Sequence, residues 1–190
     1  LLDKMFRTDT PGDRLAWERS TPLGLSDTVN GVTLGVDRAY MDGSRIVVGV
    51  TSDGYTYAGR ATLLVDGRRA PGGTNSTHPT WAGSAHQMGF QTPSGIGDRA
   101  SLELVIPRIW RQEPVDRRAV EAEPSPAFSP NVPWSGESSF PGKTPIEGPW
   151  RFHFELENHG GTGWRVELSA PTSGVTVTLH RLVVSPALIR

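Results

Sequence analysis

The chain has 190 residues, 36% of them hydrophobic and 21% charged, enough to bury a self-supporting core in one or two domains. Nineteen Lys and Arg against 20 Asp and Glu leave a net charge of -1, so no broad basic field is available for a nucleic-acid backbone. No apolar run approaches the ~20 residues of a membrane helix, and the absence of cysteine excludes disulfides, thiolate metal sites and thiol nucleophiles.

The opening Leu1-Leu2-Asp3-Lys4 has neither an initiator Met nor a signal-peptide pattern, which suggests a part of a longer protein. Residues 1–27 read as a lead-in segment with two short helix candidates, Leu2 to Phe6 and Arg14 to Glu18. Beyond them, 22 Gly and 16 Pro interrupt the chain too often for long helices, and the periodic stretches have period two. Val32 to Val36 alternates and Arg45 to Thr51 is β-branched; Asp42-Gly43 between them suits a turn with positive φ, which makes a hairpin. Tyr55 to Val65 and Ser101 to Ile106 are further strand candidates, whereas His78, Trp81 and His86 fall in a loop-like stretch.

From Arg111 to Pro149 the chain holds eight of its prolines and reads as a long loop. Trp150 to Glu157 then alternates apolar and polar residues, and Trp164 to Leu168 and Val175 to Val184 add more strand pattern. Gly160-Gly161-Thr162-Gly163 between them suits a flexible hairpin turn. One wet and one buried face per strand is the signature of an antiparallel sheet, so the expected fold is an all-β, immunoglobulin-like antiparallel sandwich with at most short helices. Asn30 to Met41 can also be laid over Ser173 to Val184, with Gly31 and Gly174 separated by 143 positions. The expected organisation is therefore the lead-in 1–27, a sandwich domain 28–157 with a Pro-rich insert 111–149, and residues 158–190 as a connecting hairpin and the first strand of a truncated second β domain.

Motifs that carry chemistry are scarce. No pair of the five histidines has the spacing of a zinc-protease helix, no serine lies in a nucleophile elbow, and the Gly160 to Gly163 run lacks the Gly-Lys-Ser/Thr of a phosphate loop. His153 alternates with Phe152 and Phe154 and is expected to face solvent. Glu103, Glu155, Glu157 and Glu167 next to Arg151 and Arg165 read as the charged outer face of a sheet rather than a glycosidase pair. Asp3, Asp9 and Asp13 lack the spacing of a calcium loop. No catalytic residue, cofactor or metal site is expected; Trp81 and Trp134, least explained by strand pattern, are the candidate partner-binding residues.

Three islands together carry a resemblance. Val29 to Val50 resembles the opening hairpin of a bacterial domain of unknown function that forms the extracytoplasmic part of membrane-anchored anti-sigma factors. Gly148-Pro149-Trp150-Arg151-Phe152-His153-Phe154 resembles that family's closing Gly-x-Trp-x-Phe-x-Phe strand. Gly174 to Pro186 resembles the start of the immunoglobulin-like domain that follows it. The resemblance implies a non-enzymatic sensor or scaffold outside the membrane, with an envelope ligand or protein as partner and an upstream helix as anchor. A sigma factor would be contacted only by a cytoplasmic part that this sequence does not contain. The other reading is a secreted or cell-surface module that binds cell-wall glycan or a protein.

Overall fold

The computed structural model describes residues 11–54, 56–79, 83–112, 143–160, 162–172 and 175–184. Among the described residues, one helix, α1 (Pro11–Glu18), precedes twelve strands: β1 (Thr21–Val29), β2 (Val32–Met41), β3 (Arg45–Asp53), β4 (Thr56–Ala58), β5 (Thr62–Val65), β6 (Arg68–Arg69), β7 (Gly72–Pro79), β8 (Gly83–Gln91), β9 (Arg99–Gln112), β10 (Lys143–Glu157), β11 (Thr162–Thr172) and β12 (Val175–Val184). Every pair of named strands is antiparallel. One sheet has the order β1-β2-β3-β8-β7, the other β10-β9-β5-β6 with β4 also on β9, and β11 and β12 form a two-stranded sheet. The protein is an all-β antiparallel sandwich.

The alternation visible in the sequence makes the core. Trp150, Phe152, Phe154 and Leu156 of β10 and Leu102, Leu104 and Ile106 of β9 meet Val32, Leu34, Val36, Ile46, Val48 and Val50 of the other sheet, all buried. Trp150 is fully buried and also donates its indole N–H to the Val32 carbonyl across the sandwich, at 3.0 Å. This bond satisfies the one polar atom of the ring and ties the sheets together.

Several expectations change. The lead-in is part of the sandwich, because β1 is an edge strand on β2 and is further held where Asp27 accepts from the Arg151 amide and Asn30 donates to the Glu147 carbonyl. No β1 residue is fully buried, so its hydrophobic pattern is faint. The second helix candidate starts earlier, at Pro11, a residue suited to a first helical position; the first, Leu2 to Phe6, lies outside the described residues. The expected strand Tyr55 to Val65 is broken between Ala58 and Thr62. A side chain on Gly59 there would come within 2.8 Å of the Arg108 carbonyl, and the Gly59 amide donates to that same carbonyl. The loop-like stretch around His78 and His86 contains β7 and β8, whose Gly, Ser and His residues hide the period of two. The Pro-rich insert is narrower than 111–149: β9 runs to Gln112, and β10 starts at Lys143, with Pro145 tolerated on an edge strand and Pro149 at its register shift. Residues 113–142 lie outside the described residues.

The internal similarity extends to pairing. In β1–β2, Val29 faces Val32, the register runs to Leu25 opposite Val36, and it shifts before Pro22 opposite Arg38. In β11–β12, Thr172 faces Val175, the register runs to Leu168 opposite Leu179, and it shifts before Arg165 opposite Arg181. Each of these positions recurs 143 residues later, bulge included, so the two segments are copies of one hairpin rather than two similar strands.

Trp150→Phe keeps most of the ring but leaves the buried Val32 carbonyl without its donor. The expected loss is about 1–3 kcal/mol, measured by urea unfolding; an unchanged midpoint would contradict the cross-sheet role.

Candidate functional site

Among the described residues, those singled out in the sequence are not brought together in one site. Trp81, Trp134, Asp3 and Asp9 lie outside the described residues, and His78, His180 and Glu167 fall in β7, β12 and β11. His153 is exposed, as expected. On that outer face Arg151 pairs with Glu103 at 2.9 Å, Arg99 with Glu155 at 2.9 Å and Arg108 with Glu147 at 2.7 Å. Such exposed pairs contribute little and make an ordinary charged sheet face. Among the described residues, no three His, Asp or Glu side chains come together as a metal site.

Two polar clusters do form inside. The first sits at one end of the core, where Ser52 and Thr56 hydroxyls are 2.6 Å apart, Thr56 Oγ1 is 3.2 Å from His86 Nε2, and Ser84 Oγ accepts from the Thr56 amide at 2.9 Å. A hydroxyl beside an imidazole has the composition of an activated nucleophile. Here, however, Thr56 and His86 are both fully buried, and their bonds fasten the short strand β4 to β3 and β8.

The second cluster is a junction of four chain segments. It begins with a β-bulge in β2, between Val36 and Arg38. The extra residue reverses the alternation, so that Ala39 and Met41 enter the core while Arg38 and Tyr40 turn to the outer face of the sheet. That face is covered by α1. Ala16 packs on Tyr40, Trp17 packs on Val47 and Ala85, and the Arg38 guanidinium lies 3.7 Å from the centre of the Trp17 ring, an attractive cation–π geometry. Arg38 also donates to Ser20 Oγ at 3.1 Å, and Ser20 donates to the Trp17 carbonyl at 2.7 Å, which caps the helix end.

Beside this helix seat, Asp42 is fully buried. Its Oδ2 accepts from the Tyr40 hydroxyl at 2.9 Å, and its Oδ1 accepts from the Ser44 amide at 2.8 Å, the Ser44 hydroxyl at 2.7 Å and the Arg45 amide at 3.0 Å. Gly43 therefore has no positive φ, against expectation; the carboxylate itself builds the turn. The Asp42 carbonyl accepts from the Thr92 hydroxyl at 2.6 Å, which brings in the segment after β8.

The fourth segment is the connector 158–160 between β10 and β11. It is neither a hairpin turn, since β10 and β11 pair with different partners, nor loosely held. The Asn158 amide donates to the Asp98 carbonyl, the His159 amide to the Met41 carbonyl, and the Gly43 amide to the Gly160 carbonyl. Gly160, at φ 81°, takes the left-handed conformation open to glycine. The His159 ring stacks on Tyr40 at 5.3 Å between centroids and 11° between planes, and its Nε2 lies 3.1 Å from the Arg19 carbonyl. A carbonyl only accepts, so Nε2 carries the proton. Sequence reasoning missed this site because His159 and Arg19 are 140 residues apart; the only local signal was Asp42-Gly43-Ser44.

A search of protein families finds no matching model, and no curated protein matches the chain. Among solved structures, the chain is similar to the conserved domain protein from Bacillus anthracis, with a TM-score of 0.57 and 14% identity. The likeness covers 90% of this chain and 53% of that one, so this chain spans about half the length of its neighbour. It is a likeness of fold.

Burial, then the Asp42 charge and its hydrogen bond, push the Tyr40 hydroxyl well above its ordinary pKa of 10.0, against weaker opposing effects of Arg45 and Arg19. The folded state thus holds this proton more tightly than the unfolded chain. Its contribution to stability is full below the ordinary value and is lost as pH rises through the alkaline range. An ultraviolet tyrosinate titration of the wild type and Tyr40→Phe is expected to show the same reversible tyrosine ionisation before alkaline unfolding. Loss of one titrating group in the variant would contradict the assignment.

Proposed function

We propose that this chain is the extracytoplasmic regulatory part of a membrane-anchored bacterial anti-sigma factor, a non-enzymatic sensor or scaffold. The observation that supports the reading best is the repeated hairpin, with β1–β2 and β11–β12 sharing register and bulge. The resemblance implies one β domain followed by the start of an immunoglobulin-like one, and a hairpin that recurs after the first domain supports that order. The sandwich fold and the order of its hairpin and closing strand agree with the same reading.

In this proposal a helix upstream anchors the domain in the membrane, and a cytoplasmic part beyond it holds the sigma factor. Among the described residues, no helix is long and apolar enough to cross a membrane. An envelope ligand or protein that favours one arrangement of the ectodomain would shift the equilibrium of the whole receptor by its differential affinity. In this reading the packed core and the charged sheet face described above are the body of the scaffold.

The test uses the complete reading frame in its host. Alkaline phosphatase joined after Arg190 is expected to be active and β-galactosidase at the same position inactive. Deletion of residues 11–184 is expected to change transcription from a promoter of the cognate sigma factor several-fold. The reverse fusion pattern would overturn the location, and an unresponsive promoter would overturn the regulatory role in favour of a surface binding module.

A further inference from the structure

The helix α1 and the connector 158–160 lie at opposite ends of the sandwich's sequence, yet both close on the Tyr40 ring. Ala16 packs on that ring from the helix, and His159 stacks on it from the connector while donating to the Arg19 carbonyl just past the helix end. We propose that these two segments form one latch, so that release of either loosens the other. The inference is independent of the regulatory reading, because it concerns only contacts within this chain.

The helix depends on its seat. Eight residues are too few for a helix to persist alone in water, where nucleation outweighs a turn or two of hydrogen bonds. Its seat is also modest: Ala16 is buried, Leu15 and Trp17 are half-buried, and Glu18 and Arg19 are exposed. A cavity of about 10 Å³ remains between Ala16, Trp17, Arg38, Tyr40 and Val47, about the space of one water molecule and far below that of a ligand. Undocking and unwinding of α1 are therefore one event of low free energy, of the kind that supplies moving parts in proteins.

The connector is held differently, by backbone bonds. The Asn158 and His159 amides and the Gly160 carbonyl are each bonded to the sandwich, to Asp98, Met41 and Gly43 respectively. The latter two partners belong to the turn region that Asp42 organises. His159 is thus the only side chain among those described above that touches both the helix end and the Tyr40 floor while belonging to the connector. When α1 leaves, His159 loses its acceptor and the Tyr40 ring loses its contact with the helix; when the connector lifts, the turn just past the helix loses the donor on the Arg19 carbonyl. Coupling of this kind is reciprocal by thermodynamic necessity. The latch joins the segment before β1 to the segment that leads into the repeated hairpin.

Amide hydrogen exchange by NMR on the 190-residue chain tests it. His159→Ala is expected to accelerate exchange of the Arg19 and Ser20 amides about fivefold or more, the equivalent of one hydrogen bond. Trp17→Ala is expected to accelerate exchange of the His159 and Gly43 amides by a similar factor. Arg108→Ala, on the other sheet and at the far end of β9 and β10 from the connector, is expected to leave both sets unchanged. If either variant unfolds globally, His159→Gln and Trp17→Phe replace them, with smaller changes of the same reciprocal pattern. Faster exchange confined to the mutated segment in both variants would overturn the latch.

Discussion

A charge taken out of water constrains everything around it. The buried Asp42 carboxylate would cost several kcal/mol if left unpaired, and the structure meets that demand with four donors from three residues, Tyr40, Ser44 and Arg45. Satisfying the carboxylate fixes the turn between β2 and β3, points the Tyr40 hydroxyl inward, and holds the Tyr40 ring where α1 and His159 can both reach it. The Asp42 amide and carbonyl are also engaged, by the Arg45 carbonyl and the Thr92 hydroxyl, so the turn has little freedom to relax. A half-satisfied network at this point would be worse than an apolar one, which is why all of its members have to be in place together.

The bulge in β2 makes this junction possible. Without the additional residue, the alternation that buries Val32, Leu34 and Val36 would carry Arg38 and Tyr40 into the hydrophobic core. With it, the same strand serves the core along one half and the helix seat along the other. A second, separate shift lies in the β1–β2 pairing, with its extra residue on β1 before Pro22 opposite Arg38, and it is this shift that β11–β12 repeats, with its extra residue on β11 before Arg165 opposite Arg181. The two hairpins thus share register and shift, and not only Gly-Val-Thr residues.

The parts legible in the sequence are those where burial alternates cleanly. Trp150 to Leu156 and Leu102 to Ile106 announced themselves because apolar residues fill one face and Arg, His and Glu the other. Strands β7 and β8 did not, since β8 buries Ser84 and His86 beside Met88 and Phe90, and its polar residues are satisfied by Ser52 and Thr56 from elsewhere in the chain. Edge strand β1 was hidden for the opposite reason, having no fully buried residue to mark its inner face. Trp81 and Trp134 stood out only because no strand pattern explained them. The junction was invisible because its partners, Arg19, Tyr40, Asp42 and His159, come from chain positions up to 140 residues apart.

The proposed role, a scaffold that receives a signal outside the cell, requires two chain directions that are mechanically connected, and the proposed latch on Tyr40 would connect them. The account rests on one side chain standing between helix and connector, so the direct measurement is nitrogen-15 NMR of the His159 imidazole in the folded chain. A proton on Nε2 that exchanges slowly with water, with cross-peaks to the Tyr40 ring, is the predicted result. An imidazole that averages between tautomers and shows no contact with Tyr40 would contradict it.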